Sequence, residues 1–354
     1  MRRLIDWVPT EEKPVMPMNK RQSSIIDPSG DPSGAGGVVA SPWERCGIIL
    51  AAGDGTRLRP MIRRLRGDAL PKQYVRFDGR SSMLEQSIER AATLIPEERL
   101  FTVVGRHHLD YRDAREQLDR CGGSVVVQPM NKETAPGLLL PLMHLYKRYP
   151  EAVVAVFPSD HSISDDGLFM SYVNLAYHVV EQHPWLVVQL GVQPSGPEPE
   201  YGYILPGERI TRNDFADVRA VVGFVEKPDA ATAELLTLQG GVWNTMVMVF
   251  RAKTWLRLIC DGLPELYDAF RRIYQAIGTP DEAQVIDEVY AMIRPVNLSA
   301  GFLSCIAATD PSPLAVLPVR GVTWSDWGSE RRILDSIRQD GRALIATPLA
   351  QAPV

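Results

Sequence analysis

Residues 47–60 read Gly47-Ile-Ile-Leu-Ala-Ala-Gly-Asp-Gly-Thr-Arg-Leu-Arg-Pro60, and after a gap Leu70-Pro-Lys-Gln73 follows. Ile48, Ile49 and Leu50 form a short apolar run suited to a strand buried on both faces. The small residues Ala51, Ala52, Gly53 and Gly55 come next and let a backbone approach a ligand closely. Successive N–H groups in such a turn form an anion nest. Arg57 adds a permanent cation whose forked donors match phosphate, and Lys72 adds a second. A strand, a glycine turn and two cations are what the phosphates of a nucleoside triphosphate require. The stretch is not the dinucleotide fingerprint, because Leu58 stands where a third glycine would be. It is not a Walker loop, because no Gly-Lys-Ser/Thr follows Gly55.

The bulk of the chain narrows the class. Its 354 residues, 45% hydrophobic, suit one large or two moderate domains with a sizeable core. A net charge of −5 gives no general basic surface for nucleic acid. No apolar run approaches the roughly 20 residues that span a bilayer. Met1-Arg-Arg-Leu-Ile-Asp-Trp7 lacks the apolar core of a secretory signal. Cys46, Cys121, Cys260 and Cys305 lie far apart with no Cys-x-x-Cys spacing, so four free thiols in a reducing cytoplasm are expected.

Residues 1–41 carry Asp27-Pro-Ser-Gly twice in succession and then Ala35-Gly-Gly, a composition that cannot offset backbone ordering. A flexible leader is expected there, and a single catalytic domain over 42–350. From Cys46, apolar runs at Cys46–Leu50, Leu100–Val104, Ser124–Val127, Val153–Phe157 and Leu186–Leu190 read as buried strands. Helical patterns at Met83–Leu94, Asp110–Arg120, Ala135–Tyr149 and Leu168–Gln182 alternate with them. The alternation predicts a Rossmann-like α/β fold, its sheet mixed but mainly parallel and flanked by helices. Ligands in such sheets bind beyond the carboxyl ends of the strands. Asp160, in Pro158-Ser-Asp-His161, falls there, where a carboxylate can hold Mg²⁺.

After Leu190 the pattern turns to antiparallel-looking strands. Gly202, between Tyr201 and Tyr203, would let the backbone approach a sugar, with either tyrosine as a hydrogen-bonding rim. Glu226 can accept from sugar hydroxyls, Lys227 can pair with a sugar phosphate, and Asn244 beside Trp243 can both donate and accept. Residues 253–294 read as a helical excursion: Thr254–Cys260, Pro264–Ile277 and Asp281–Ile293. A strand at Val316–Val319, a helix near Glu330–Arg338 and a strand near Ala343–Ala346 close the chain.

The order Gly-x-Gly-Thr-Arg-Leu-x-Pro with Pro-Lys-Gln downstream resembles the signature of the sugar-phosphate nucleotidyltransferases, most of all the mannose-1-phosphate guanylyltransferases. Tyr-Gly-Tyr, Val-Glu-Lys-Pro and Trp-Asn follow in the order of that family's sugar-binding half, and the resemblance covers roughly residues 44–340. It implies the nucleotide-diphospho-sugar transferase fold. It implies transfer of a nucleotidyl group from a nucleoside triphosphate, GTP in this form, to mannose-1-phosphate, with release of pyrophosphate. By resemblance, Leu50, Ala51, Ala52, Gly53, Asp54, Gly55, Thr56, Arg57 and Lys72 hold the nucleotide. Thr134, Ala135 and Pro136, where Thr134 is a plausible N-cap, pack along its base, and Gln128 stands at a base-reading position. Arg57, Lys72 and Asp160 are the expected catalytic set. Asp326, in Trp324-Ser-Asp-Trp-Gly328, is implied as a second Mg²⁺ ligand beside Asp160. Gly202, Tyr203, Glu226, Lys227 and Asn244 are the sugar-phosphate set.

The chain departs from the family pattern at Glu133 (Asn in relatives), at Met246 (Gly in relatives) and around Gly301, where an acid is missing. Those departures motivate a second reading, a non-catalytic sugar-nucleotide-binding regulatory subunit. The same reaction with another pair, such as glucose-1-phosphate with a different base, is a third. A nicotinamide dehydrogenase fails on the missing glycine. The expected partners are small molecules, with no nucleic acid and no membrane, and homo-oligomerisation is left open.

Overall fold

The computed structural model describes residues 43–210 and 217–339, so the leader and the closing strand expected near 343–346 lie outside the described residues. Strand β1 (Arg45–Ala51) is followed by helix α1 (Arg59–Arg66), which the sequence reading missed, and α2 (Met83–Ala92). Next come β2 (Leu100–Gly105), α3 (Arg112–Leu118), β3 (Ser124–Gln128), α4 (Thr134–Arg148) and β4 (Val153–Pro158). A two-residue β5 (Ser162–Ile163), helix α5 (Asp166–Gln182) and β6 (Val187–Val192) complete the first half. The second half holds β7 (Gly202–Arg209), β8 (Arg219–Glu226), α6 (Ala230–Leu238) and β9 (Val242–Arg251). The helical excursion is α7 (Ala252–Gly262), α8 (Pro264–Ala276) and α9 (Glu282–Met292), close to the expected bounds. Short α10 (Ser304–Ala307), β10 (Leu314–Val319), two-residue β11 (Trp324–Ser325) and α11 (Glu330–Gln339) follow.

The main sheet has nine strands in the order β3-β2-β1-β4-β9-β6-β10-β8-β7. β1 pairs in parallel with β2 and β4, and β2 with β3. β9 inserts antiparallel between β4 and β6, and β7–β8 is an antiparallel hairpin. Only β8 and β9 therefore run against the other seven strands, a mixed, mainly parallel sheet as expected.

Alternation along the strands explains the two-sided burial. Ile48 and Ile49 are both fully buried, yet they face opposite sides of the sheet. Ile49, Ala155, Phe157 and Val249 pack with α2 and α5 in one cluster. On the other face lies α4, whose leucines from Leu138 to Leu145 are fully buried, with α7 and α8 packed against it. Helices on both faces leave the strand ends as the place where a ligand can enter. Because β1 to β4 are parallel, the loops at their carboxyl ends open on the same edge. Among the described residues no helix is long and apolar enough to cross a membrane.

Candidate active site

The loop after β1 is shaped by its own residues. Gly55 has φ 56°, in the left-handed region, and caps a one-turn 3-10 helix at Thr56–Leu58. A Cβ on Gly55 would sit 3.1 Å from the Lys72 side chain, so both backbone angle and space call for glycine there. Gly53 differs: a Cβ there would meet no protein atom within 4 Å, and the loop is open on that side. Gln73 holds the loop from beneath, its Nε2 donating to the carbonyls of Ala51 at 2.7 Å and Gly53 at 2.9 Å. Arg57 lines the cleft and carries an exposed contact to Glu200 at 3.4 Å, of the kind that contributes little.

Lys72 is buried, and its ammonium is fully engaged. It pairs with Asp160 Oδ2 at 2.9 Å and donates to the carbonyls of Asp326 at 2.9 Å and Trp327 at 3.2 Å. Three donors and three acceptors join the turn after α1, the end of β4 and the C-terminal segment. Burial works against the charge on Asp160, but the Lys72 ammonium, with His161, holds its carboxyl below the ordinary value. Lys72 thus anchors the site instead of reaching freely into the cleft.

The small β5–β11 sheet brings the two aspartate loops together. Ser162 pairs with Ser325 and Ile163 with Trp324, two residues beyond Asp160 and two before Asp326. Trp324 Nε1 donates to His161 Nδ1 at 3.3 Å. An indole nitrogen is only a donor, so Nδ1 accepts and the imidazole proton sits on Nε2, which faces Asp160 at 3.7 Å. Burial pushes the His161 pKa down to about 4. The Asp326 carboxylate is occupied: Oδ1 accepts from the Gly328 N–H at 2.8 Å and from Arg332 at 2.9 Å. Arg332 also reaches Glu198 and Glu200 and lies over the Tyr201 ring. Sequence reasoning missed Arg332, though its position six residues after Asp326, in the first turns of a helix, was visible.

Beyond β3, Gln128 is buried and its Oε1 lacks a partner. Thr134 corrects an expectation. The residue before α4 is Glu133, with φ 69°, and Thr134 is the first helical residue rather than the cap. Its hydroxyl accepts from the Leu298 N–H at 2.8 Å, Ala135 N donates to Val296 O, and Asn297 Nδ2 reaches Glu133 Oε2 at 3.3 Å. The departures from the family pattern at Glu133 and at 297–301 therefore meet in space. Ala135 and Pro136 are buried in the first turn of α4.

On the antiparallel side, Gly202, Glu226 and Asn244 converge. A Cβ on Gly202 would lie 2.6 Å from Glu226 Oε2 and 3.5 Å from Asn244 Cβ, so a side chain there would displace the Glu226 carboxylate from its present position. Lys227 pairs with Glu226 and has φ 48°. Tyr203 is a correction: it is fully buried, and its hydroxyl accepts from the Glu198 N–H at 2.8 Å, so it serves the core and not a rim. Pairing between β6 and β9 shifts register between Gln189 and Gly191. In that irregularity Met246 adopts φ 56°, a left-handed angle that glycine takes at less cost than methionine. Asn244 Oδ1 accepts from Met246 N at 3.0 Å and fixes the bend.

Leu50, Ala52, Gly53, Gly55, Thr56, Arg57, Lys72, Gln128, Thr134 and Asp160 line one cleft of about 400 Å³, together with Met246, which the sequence marked only as a departure from the family pattern. Ala51, Asp54, Ala135, Pro136, Gly202, Tyr203, Glu226, Lys227, Asn244 and Asp326 are not on its wall.

A model of the nucleotidyl transferase family matches residues 46–342. A mannose-1-phosphate guanylyltransferase of Klebsiella pneumoniae is 30% identical over 284 residues, 80% of this chain and 58% of that protein. One from Salmonella muenchen is 28% identical, covering 83% and 59%. The chain thus spans about 60% of the length of the curated relatives it matches. Among solved structures, one described as a mannose-1-phosphate geranyltransferase from Thermus thermophilus is 30% identical. It superimposes with a TM-score of 0.68, covering 82% of this chain and 78% of that one. With the glycine loop, the Lys72–Asp160 anchor and the mixed sheet all within the matched span, this chain belongs to the nucleotidyl transferase family.

Proposed function

We propose that this protein transfers a nucleotidyl group from GTP to mannose-1-phosphate, forming a nucleotide sugar and pyrophosphate. The observation that carries this reading is one cleft that joins the open Gly53 side of the loop, exposed Arg57, the Asp160 carboxylate and the unpartnered Gln128 Oε1. The names of the curated relatives favour this substrate pair.

In the reaction, a phosphate oxygen of the sugar-1-phosphate forms a bond to the α-phosphorus. The α–β bridging bond breaks, and pyrophosphate leaves with its electron pair. The nucleophile is already an anion, so the chain's work is positioning and charge stabilisation. The N–H groups of the loop and Arg57 take up phosphate charge, while Lys72 keeps Asp160 ionised and fixed. Gln128 hydrogen-bonds the base, and Gly202 with Glu226 and Asn244 receives the sugar.

The donor set fits a hard divalent cation at Asp160, whose Oδ1 lies 3.7 Å from His161 Nε2 while Oδ2 holds Lys72. Mg²⁺ held there would neutralise phosphate charge. Asp326 would join it only by giving up part of its contact with Arg332.

The test is pyrophosphate release with Mg²⁺ over four nucleoside triphosphates against mannose-1-phosphate and glucose-1-phosphate. Release confined to GTP with mannose-1-phosphate is expected, with a raised KM for GTP in Gln128→Leu. Release with another pair would replace the substrates. No release with any pair, alongside tight sugar-nucleotide binding by calorimetry, would overturn catalysis in favour of a regulatory subunit.

A further inference from the structure

On the flank of the glycine loop, outside the cleft wall, three metal-ligating side chains converge. Asp54 is on the loop itself. His107 and His108 come from the 3-10 turn at Arg106–Asp110, where β2 ends. Asp54 Oδ1 lies 2.6 Å from His107 Nε2 and 3.9 Å from His108 Nε2, and one donor atom from each residue falls within a 4.8 Å span. The other Asp54 oxygen accepts from Asn131 at 3.2 Å.

His108 carries the argument. Its side chain is fully buried and its Nε2 has no hydrogen-bond partner, so a polar atom has been desolvated and left aimed toward a carboxylate too far away to bond. A group inserted between them would satisfy it. The ring is held in place: Tyr74 Oη lies 3.2 Å from Nδ1. The Gly105 N–H donates to Nδ1 at 3.4 Å, so without an ion the imidazole proton sits on Nε2; an ion at Nε2 would displace that proton to Nδ1, where Tyr74 Oη can accept it. Gly105 leaves room for both rings. A Cβ there would lie 2.9 Å from His107 Cε1 and 3.2 Å from His108 Nε2, so one or both rings would have to shift.

We infer that Asp54, His107 and His108 form a binding site for a borderline divalent transition-metal ion of the Zn²⁺ type, separate from the Asp160 site. Two imidazoles and one carboxylate suit Zn²⁺, Co²⁺ or Ni²⁺ better than Mg²⁺, which prefers an all-oxygen shell. Three protein donors leave a further position for water. Half-exposed His107 gives the ion its way in. Once bound, the ion ties the glycine loop to the end of β2 and so restrains the loop that faces the cleft.

The test uses the full chain without a histidine tag, stripped with chelator and titrated with Zn²⁺ by calorimetry and with Co²⁺ by visible absorption. One ion per chain is expected, with nitrogen ligation in the Co²⁺ spectrum and a thermal midpoint that rises with Zn²⁺. His107→Ala removes a half-exposed ligand, and Asp54→Asn removes the charge. Each should weaken Zn²⁺ at least about 100-fold, more than the 10–100-fold typical of outer partners. Asp160→Asn should leave Zn²⁺ binding unchanged, which separates this site from the proposed Mg²⁺ position. No Zn²⁺ or Co²⁺ binding at micromolar concentration would overturn the inference. So would equal binding by wild type and His107→Ala, or loss of binding in Asp160→Asn alone. The measurement needs no substrate, so it stands or falls independently of the transferase reading.

Discussion

The β1–β4 side of the cleft and the β7–β9 side are built on opposite plans. On the first, each polar group follows directly on a parallel strand: Gly53 after β1, Gln128 at the end of β3, Asp160 after β4. On the second, groups are placed by cross-strand fit. Gly202 is shaped by Glu226 across the hairpin, and Asn244 by the irregularity at Met246. A strand-end site is a property of one stretch of chain, whereas a cross-strand site exists only when distant stretches register.

The largest effect should come from breaking the anchor that joins the strand-end side to the C-terminal segment. Lys72→Met leaves Asp160 and two carbonyls without their cation. Turnover in the pyrophosphate assay should fall about 10³-fold. Urea unfolding should register a loss of roughly 3 kcal/mol, the low end for breaking a buried pair, because Asp160 is partly exposed. Unchanged turnover would mean that the two sides do not depend on each other.

Trp324→Ala tests the seam itself. The side chain is 7% exposed and packs on Tyr201 and His161. About 3 kcal/mol of stability should be lost. If the seam positions Asp160, kcat should also drop while KM for the nucleotide changes less. A pure stability loss with normal kcat would break that link.

Thr134→Val probes only the base side. It removes the acceptor for the buried Leu298 N–H at about 1–2 kcal/mol. KM for the nucleotide should rise more than kcat falls, measured by initial rates. An unchanged KM would detach the 297–301 segment from the base side.

The smallest effect should lie far from both sides. Glu85 completes the capping box of α2 and pairs with Arg76. Burial opposes its charge, but Arg76 and the Ser82 N–H hold its pKa below the ordinary value. With the folded value depressed, Glu85 contributes stability above the ordinary carboxylate range and loses it as pH falls through the folded value. Glu85→Gln should cost about 1 kcal/mol at pH 7 and nothing well below the folded value. Denaturant midpoints across that interval read the difference, and an equal loss at every pH would remove the electrostatic origin.

The contrast also explains what the chain disclosed in advance. Ile48-Ile-Leu50 and Val153-Val-Ala-Val-Phe157 are apolar runs followed at once by chemistry, so Gly53, Arg57 and Asp160 were legible with their strands. Helix α1 was not, because arginines surround its two buried residues, Met61 and Ile62. The two-residue β5 and β11 were too short to carry any periodicity and exist only as each other's partner. Tyr203 was misplaced because aromatic–Gly–aromatic does not say which ring faces inward. Thr134 looked like a cap because Thr-Ala-Pro is a helix start, and nothing local reveals that its hydroxyl belongs to Leu298. His107-His108 stood in plain view as adjacent histidines, but their meaning depends on Asp54, more than fifty residues away.

Lys72 accepts its place only when residues 326 and 327 arrive, 254 and 255 positions later in the chain. During synthesis on the ribosome, the glycine loop emerges early and waits for that whole intervening sequence. Until then the ammonium has no carbonyl cradle, and the nascent chain holds an unfinished site. Completion of the cleft is therefore a late event in making the protein, and a chain terminated before residue 326 would carry the recognisable signature without the means to use it.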